Sequence, residues 1–208
     1  SRKTGCTRCL DVCPTGAITP DGDYVHIDPL VCAGCGSCAS VCPTGAATYQ
    51  YPAGDSLFER LRELLGAYHR AGGKRATLLL HDGGYGNEMI GLTARLGRGL
   101  PAHVIPFPLN EVTQVGLDFL AAAFAYGAGQ LVFLADPKKR AELSGLAGQI
   151  GLAETLISGL GYGGGRIHVI DDMDPDAVEA QLYDLAAPET PISPGSFLPL
   201  GGKRSRAF

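Results

Sequence analysis

The chain has 208 residues, of which 45% are hydrophobic and 18% charged, and its formal net charge is −4. This mildly acidic balance, without a basic patch, disfavours nucleic acid and anionic membrane surfaces as partners. The most apolar stretch, residues 119–135, is broken by two glycines and Gln130, so we expect no membrane insertion, and without a visible signal peptide we expect a cytoplasmic protein.

All seven cysteines lie within the first 42 residues. A disulfide framework is normally spread over a small secreted domain, and an odd number of cysteines would leave one thiol over. Close, regular spacing in an otherwise cysteine-free chain instead indicates a metal site. The candidate metal ligands are Cys6, Cys9, Cys13, Cys32, Cys35, Cys38 and Cys42.

The cysteines belong to an internal repeat. Residues 6–17 align with residues 35–46 at an offset of 29, and eight of the twelve positions are identical, including the ending Cys-Pro-Thr-Gly-Ala. The second copy extends to C-x2-C-x2-C-x3-C-P, the spacing that holds a cubane iron–sulfur cluster. Zinc sites more often use two separated C-x2-C pairs. The repeat therefore predicts iron–sulfur clusters.

In two-cluster ferredoxins, the last cysteine of each run binds the other cluster. Crossing the ligands in this way gives one complete set: Cys13, Cys32, Cys35 and Cys38. It leaves an incomplete set: Cys6, Cys9 and Cys42. The first cysteine of this second set is replaced by Lys3.

Three interpretations of the incomplete site remain open. It could hold a [4Fe-4S] cluster whose fourth cysteine was lost by truncation upstream, a [3Fe-4S] cluster, or a cluster with a non-cysteine fourth ligand. The chain starts at Ser1 without a methionine, which favours the first interpretation. We expect both ends of the chain to be cuts from a longer protein.

Residues 1–52 resemble the bacterial-type 2[4Fe-4S] ferredoxin domain, through both Cys-Pro-Thr-Gly-Ala segments and the crossed spacing. The resemblance implies an α+β fold that carries two [4Fe-4S] clusters. It also implies low-potential transfer of single electrons and sensitivity of the clusters to oxygen.

In residues 53–187, helices and strands are predicted to alternate. The first helix opens with a capping box from Ser56 to Glu59 and ends at Gly72-Gly73. Apolar runs predict strands at residues 76–81, 103–107, 131–135 and 167–170. Further helices are predicted at residues 87–98, 113–126, 137–160 (interrupted at Gly148 and Gly151) and 174–186. This order predicts an α/β three-layer domain, Rossmann- or flavodoxin-like, with a mostly parallel sheet of about four strands.

Ligands of such domains bind beyond the carboxyl ends of the strands. The glycine-rich loop at residues 83–86 follows the first strand, but Met89 stands where the dinucleotide fingerprint requires a small residue. We interpret the loop as a tight turn. His81 and Asp82 at the same edge are expected to be solvent-facing polar residues, and no catalytic residue is predicted.

Residues 76–135 resemble the delta (iron–sulfur) subunit domain of methyl-viologen-reducing hydrogenase. The resemblance rests on three stretches: the Leu78-Leu79-Leu80 strand, residues 101–106 of the second strand, and Ala123–Ala128, which lead into the third strand. That domain binds a two-iron cluster through cysteines, which this stretch lacks, so the resemblance implies a retained docking or scaffolding element. The whole chain is also similar to multi-cluster 4Fe-4S proteins associated with formate dehydrogenase, in which a linker like residues 188–208 precedes a further ferredoxin domain.

These observations predict an iron–sulfur electron-transfer protein. They favour a non-catalytic subunit of an oxidoreductase system over an enzyme. It would pass single electrons between a formate dehydrogenase- or hydrogenase-like redox enzyme and a partner, which is a redox protein or another domain of a longer chain. The alternative is a flavin- or nucleotide-dependent reductase that uses the clusters as an electron relay.

Overall fold

The computed structural model describes residues 5–186, 194–199 and 201–203. Position 3, where the ferredoxin pattern has a cysteine, lies outside the described residues, as does most of the predicted tail. The elements in chain order are α1 (Arg8–Asp11), β1 (Ile18–Asp21), β2 (Tyr24–Ile27), α2 (Ser37–Val41), α3 (Gly54–Arg70), β3 (Ala76–His81), α4 (Tyr85–Leu96), β4 (Val104–Pro108), α5 (Leu117–Ala125), β5 (Ala128–Leu134), α6 (Ser144–Gly159), β6 (Ile167–Ile170) and α7 (Pro175–Asp184).

The N-terminal elements form a small α+β unit, residues 5–50, which we call the cysteine segment. β1 pairs with β2 in an antiparallel hairpin, in which Ile18 faces Ile27 across the ladder. α1 and α2 precede and follow this hairpin and pack against each other. The hairpin and the two helices therefore arrange the two halves of the sequence repeat side by side.

Residues 54–186 form the α/β unit, which contains a four-stranded, fully parallel sheet in the order β4-β3-β5-β6. α3, α5 and α6 pack on one face of the sheet, where Leu78, Leu80 and Phe133 point. α4 and α7 pack on the other face, against Leu79 and Val132. Both faces of the sheet are covered, which explains why the central strands are continuous apolar runs. The prediction of an α/β fold with four strands is confirmed.

α3 begins at Gly54, earlier than predicted, and its N-cap is Ala53. The expected capping box from Ser56 to Glu59 is therefore wrong, because both residues already lie inside the helix. No side chain caps this helix. Its stability comes instead from the buried stripe that includes Leu61 and Leu65.

The predicted helix at residues 113–126 is broken in two. A 3₁₀ turn covers Val112–Gln114, Val115 and Gly116 are extended, and α5 starts at Leu117. The break has a packing reason, because a β-carbon at Gly116 would lie 2.3 Å from the carbonyl oxygen of Ser40 in the cysteine segment. A continuous helix would not bring the chain into this contact.

The interruption predicted at Gly148 and Gly151 is also wrong, since α6 runs through both glycines. The irregular part lies earlier, in the 3₁₀ segment Pro137–Leu143. Each glycine costs a helix about 1 kcal/mol relative to alanine. Burial of Leu146 and Ile157 against the core offsets that cost.

The described part of the tail lies against the α/β unit. The N–H of Gly195 donates to the Ala125 carbonyl at 2.7 Å, and the Tyr126 hydroxyl donates to the Phe197 carbonyl at 2.9 Å. Lys203 reaches the cysteine segment, where its Nζ donates to the carbonyl oxygens of Ala39 and Ser40 at 2.8 and 2.6 Å.

Candidate metal centre

The two Cys-Pro-Thr-Gly-Ala segments have the same local geometry. Cys13 Sγ lies 3.7 Å from the Thr15 hydroxyl, and Cys42 Sγ lies 3.7 Å from the Thr44 hydroxyl. The N–H of Ala47 also donates to Cys42 Sγ at 3.5 Å. The sequence repeat is therefore also a structural repeat, in which the hydroxyl of the threonine two residues later lies beside each sulfur.

These donors favour the thiolate form, which is the form that binds metal. Burial alone would raise the pKa of Cys13, but hydrogen bonds from the Thr15 hydroxyl and from backbone N–H groups together lower it. Burial likewise opposes the shift at Cys42, where the Ala47 N–H and the Thr44 hydroxyl lower the pKa.

Cys9 lies near the last cysteine of the other repeat. Its pKa is raised first by burial and then by the charges of Cys42 and Cys6, against backbone hydrogen bonds that lower it. Cys42 and Cys6 are thus close enough to Cys9 to influence its ionisation. This proximity is consistent with the crossed ligand sets of two-cluster ferredoxins, in which Cys42 would join Cys6 and Cys9.

Cys38 is influenced by the cysteines of its own repeat. Burial is the main cause that raises its pKa, followed by the charges of Cys35 and Cys32, while a smaller contribution comes from Cys9. The assignment of Cys38 to one cluster with Cys13, Cys32 and Cys35 remains a prediction from the ferredoxin pattern.

The loop from Cys32 to Cys38 is wound by two glycines in the left-handed region, Gly34 with φ +71° and Gly36 with φ +80°. Such glycines let successive N–H groups face one side and form a concave anion site, as around many iron–sulfur clusters. Within the described part of the chain, no atom accepts a hydrogen bond from the N–H of Gly34, Cys35 or Gly36. These donors remain available to a negatively charged group.

The donor set fits an iron–sulfur cluster. All seven thiols are free, with Cys6 and Cys32 exposed and Cys42 buried. In the described ranges, no three His, Cys, Asp or Glu side chains are placed to hold a single metal ion. A cubane cluster is larger than one ion and is held by cysteine thiolates, so a run of closely spaced free thiols suits a cluster.

The loop from Cys32 to Cys38, which we call the cluster loop, is held by residues of both parts of the chain. Thr113 Oγ1 donates to the Cys35 carbonyl at 2.6 Å, and Tyr49 donates to the Gly34 carbonyl at 2.9 Å. Asn110 in turn donates to the Tyr49 hydroxyl. Sequence reasoning missed these residues, because a hydroxyl or amide that binds a distant carbonyl leaves no pattern along the chain.

The carboxyl edge of the parallel sheet is acidic. The Asp82 carboxylate accepts from the N–H groups of Gly84 at 2.7 Å and Gly86 at 3.1 Å, so it takes the donors that a phosphate would need. His81 and Asp82 are each only 5% exposed. The expectation that they face solvent is wrong, because Asp82 closes the turn and His81 Nδ1 lies 2.9 Å from the Asp82 carbonyl oxygen.

Other groups at this edge repel anions. The pKa of Tyr85 is raised to about 12, first by burial and then by the charges of Asp136, Asp172, Asp171 and Asp82. The cavity between Asp82, Glu111, Asp136 and Lys139 measures about 10 Å³, roughly the space of one water molecule. A nucleotide does not fit there.

No helix among the described residues is both long and apolar enough to cross a bilayer.

Comparison with known families agrees with the geometry of the cysteine segment. Residues 4–46 match the model of the 4Fe-4S dicluster domain. No curated protein matches the chain. The N-terminal part of the chain is thus a ferredoxin-like iron–sulfur domain, and an electron-transfer role is supported.

Proposed function

We propose that this chain is an electron carrier, or an electron-transfer subunit, whose cysteine segment binds two iron–sulfur clusters. The first would be a [4Fe-4S] cluster with four ligands: Cys13, Cys32, Cys35 and Cys38. The second would use Cys6, Cys9 and Cys42, with a fourth ligand or a three-iron core. When bound, such clusters accept and release one electron at a time, without transfer of a proton or a group.

The observation that carries this proposal is the match of residues 4–46 to the 4Fe-4S dicluster domain. The electrostatic effect of Cys42 and Cys6 on Cys9 supports the crossed ligand sets, because it indicates that the last cysteine of the second repeat lies near the first repeat. Burial would raise the pKa of Cys13 and Cys42, but hydrogen bonds from the hydroxyls of Thr15 and Thr44 and from backbone N–H groups lower it. Each residue here binds and orients, and none needs to react.

A partner would dock where the ligands are exposed. Cys32 is exposed, and beside it Leu30 is 95% and Val31 46% exposed. Exposed apolar side chains next to a cluster ligand suit transient contact with another protein, because they lose water without demanding fixed polar partners. A hydrogenase-like partner is proposed from the resemblance of residues 76–135, and a formate dehydrogenase-like partner from the resemblance of the whole chain.

The α/β unit would serve as a scaffold for the cluster loop, through the contact of Thr113 with Cys35. The alternative, a flavin- or nucleotide-dependent reductase, is less well supported. Asp82 places a carboxylate on the N–H groups of Gly84 and Gly86, where a phosphate would bind.

The test is a visible spectrum of the anaerobically reconstituted chain, before and after addition of dithionite and then of a one-electron oxidant. We expect broad absorption that bleaches on reduction and returns on oxidation. A sample that takes up no iron and sulfide would contradict the proposal. Resolved flavin peaks would favour the reductase.

A further inference from the structure

A buried hydrogen bond links the two parts of the chain at the cluster loop. Thr113, in the connection from β4 to α5, is 2% exposed. Its Oγ1 donates to the carbonyl oxygen of Cys35 at 2.6 Å, across 78 residues of sequence. The bond fixes the orientation of one peptide group, the one that joins Cys35 to Gly36.

The fixed carbonyl also fixes an N–H. In a trans peptide the C=O and N–H point in opposite directions, so the Gly36 N–H points away from the Thr113 hydroxyl. No described residue accepts a hydrogen bond from it. A peptide that adjoins a glycine rotates at low steric cost, so the orientation of this group depends on the partner of its carbonyl.

The Thr113 hydroxyl is itself held firmly. Gln114 Oε1 accepts from the N–H groups of Asn110 at 3.1 Å and Glu111 at 3.0 Å, which closes the turn around Thr113. Glu111 is anchored by Lys139 Nζ at 2.7 Å. On the opposite side of the contact, a β-carbon at Gly36 would lie 2.7 Å from Gln114 Cβ. The hydroxyl and the loop therefore approach each other closely.

We propose that Thr113 is a positioning residue for electron transfer: it keeps the Gly36 N–H directed at the cluster of Cys32, Cys35 and Cys38. This inference rests on the proposed function. A cluster gains one negative charge when it takes an electron from dithionite, and an N–H donor stabilises that reduced form. Hydrogen bonds to cluster sulfurs are among the factors that set reduction potentials. Thr113 therefore raises the potential of this cluster.

The experiment is an EPR-monitored redox titration of the anaerobically reconstituted full chain, with dithionite as reductant, on four proteins. These are the wild type, Thr113→Val, Thr113→Ser and Thr93→Val. T113V keeps the side-chain shape and removes the hydroxyl, whereas T113S keeps the hydroxyl. T93V is the matched control, because Thr93 is also 2% exposed and its Oγ1 donates to a carbonyl, that of Ile90 at 3.0 Å, inside α4.

We expect T113V to lower the potential of one cluster. At a fixed potential its ratio of reduced to oxidised cluster should fall roughly tenfold, which corresponds to about 59 mV for a one-electron couple. T113S and T93V should titrate like the wild type.

If T113V titrates like the wild type, the inference is wrong and the proposed function stands. If the wild type itself shows no reducible cluster, the proposed function fails first. Should T113V not fold, Thr113→Ala provides the same test, since it also removes the hydroxyl that donates to the Cys35 carbonyl. A lower potential in T113A supports the positioning role of Thr113, and an unchanged potential overturns it.

Discussion

Gly116 meets Ser40 backbone to backbone, so closely that a β-carbon at Gly116 would lie 2.3 Å from the Ser40 carbonyl oxygen. Ser40 is in the last turn of α2, two residues before Cys42, and Gly116 is the N-cap of α5. Gly145 of α6 approaches the same helix, since its β-carbon would lie 3.6 Å from Val41. The helix α2, which contains Cys38, is thus packed against the α/β unit.

The first prediction concerns this contact. We expect Gly116→Ala to lower the free energy of unfolding by about 1–3 kcal/mol, because the added methyl group overpacks a backbone contact. The matched control is Gly148→Ala in α6, where a β-carbon meets no atom within 4 Å and should stabilise the helix by about 0.5–1 kcal/mol. Anaerobic urea unfolding measures both. Equal effects of the two substitutions would show that the contact is not tight.

The second prediction separates backbone strain from crowding in the cluster loop. Gly36 and Gly22 both have positive φ, +80° and +57°, but only Gly36 is crowded, by Gln114 at 2.7 Å. We expect Gly36→Ala to lower the iron content of the purified chain strongly, because the loop must move off the α/β unit. Gly22→Ala should cost about 1–2 kcal/mol from left-handed strain and retain its iron. Full iron content in G36A would contradict this account of the loop.

The third prediction tests the crossed ligand sets by pairing cysteine-to-serine substitutions. Cys13 and Cys38 are assigned to one cluster, so the double variant C13S/C38S should lose no more iron than C38S alone. Cys42 is assigned to the other cluster, so C42S/C38S should lose the iron of both. Two substitutions that act on one site are expected to be non-additive. Iron and sulfide analysis distinguishes the schemes, because uncrossed ligation predicts additive loss for C13S/C38S.

The fourth prediction concerns acid stability. The pKa of His103 is lowered first by burial and then by the Arg75 charge, and its buried Nε2 has no hydrogen-bond partner among the described residues. The unfolded chain therefore takes up this proton first, near the ordinary pKa of about 6.5. The free energy of unfolding should fall as the pH falls below that value.

The check is the difference in unfolding free energy between about pH 7.5 and about pH 5.5. His103→Gln should lose less stability over this interval than the wild type. His26→Gln, at an exposed position of β2, is the control and should follow the wild type. An unchanged pH dependence in H103Q would show that this histidine does not contribute.

Much of the site could be read from the sequence, because cysteine spacing is a local constraint. Cys13-Pro14 and Cys42-Pro43 indicate the repeat, and the crossed ligand sets are predicted from the pattern of two-cluster ferredoxins. Apolar runs such as Ala76–His81 likewise predict buried parallel strands, and each is a strand in the structure. In each case, the residues that form the pattern lie within a few positions of one another along the chain.

The features that could not be predicted from the sequence depend on contacts between residues that are far apart along the chain. The extended break at Gly116 exists because of Ser40, and the role of Thr113 exists because of Cys35. Gly148 illustrates the reverse case: its low helix propensity predicts a break, but the buried face of α6 outweighs it. Propensity describes a residue and its neighbours, whereas these outcomes are decided by packing across the fold.

Anaerobic EPR with a parallel iron and sulfide count tests the central claim most directly. For the reconstituted chain we expect about seven or eight iron atoms, according to whether the site of Cys6, Cys9 and Cys42 holds three or four. Reduced protein should give the signal of [4Fe-4S] clusters, and a three-iron site would add a signal in the oxidised protein. A folded chain with all seven cysteines intact that binds no iron and sulfide would contradict the account.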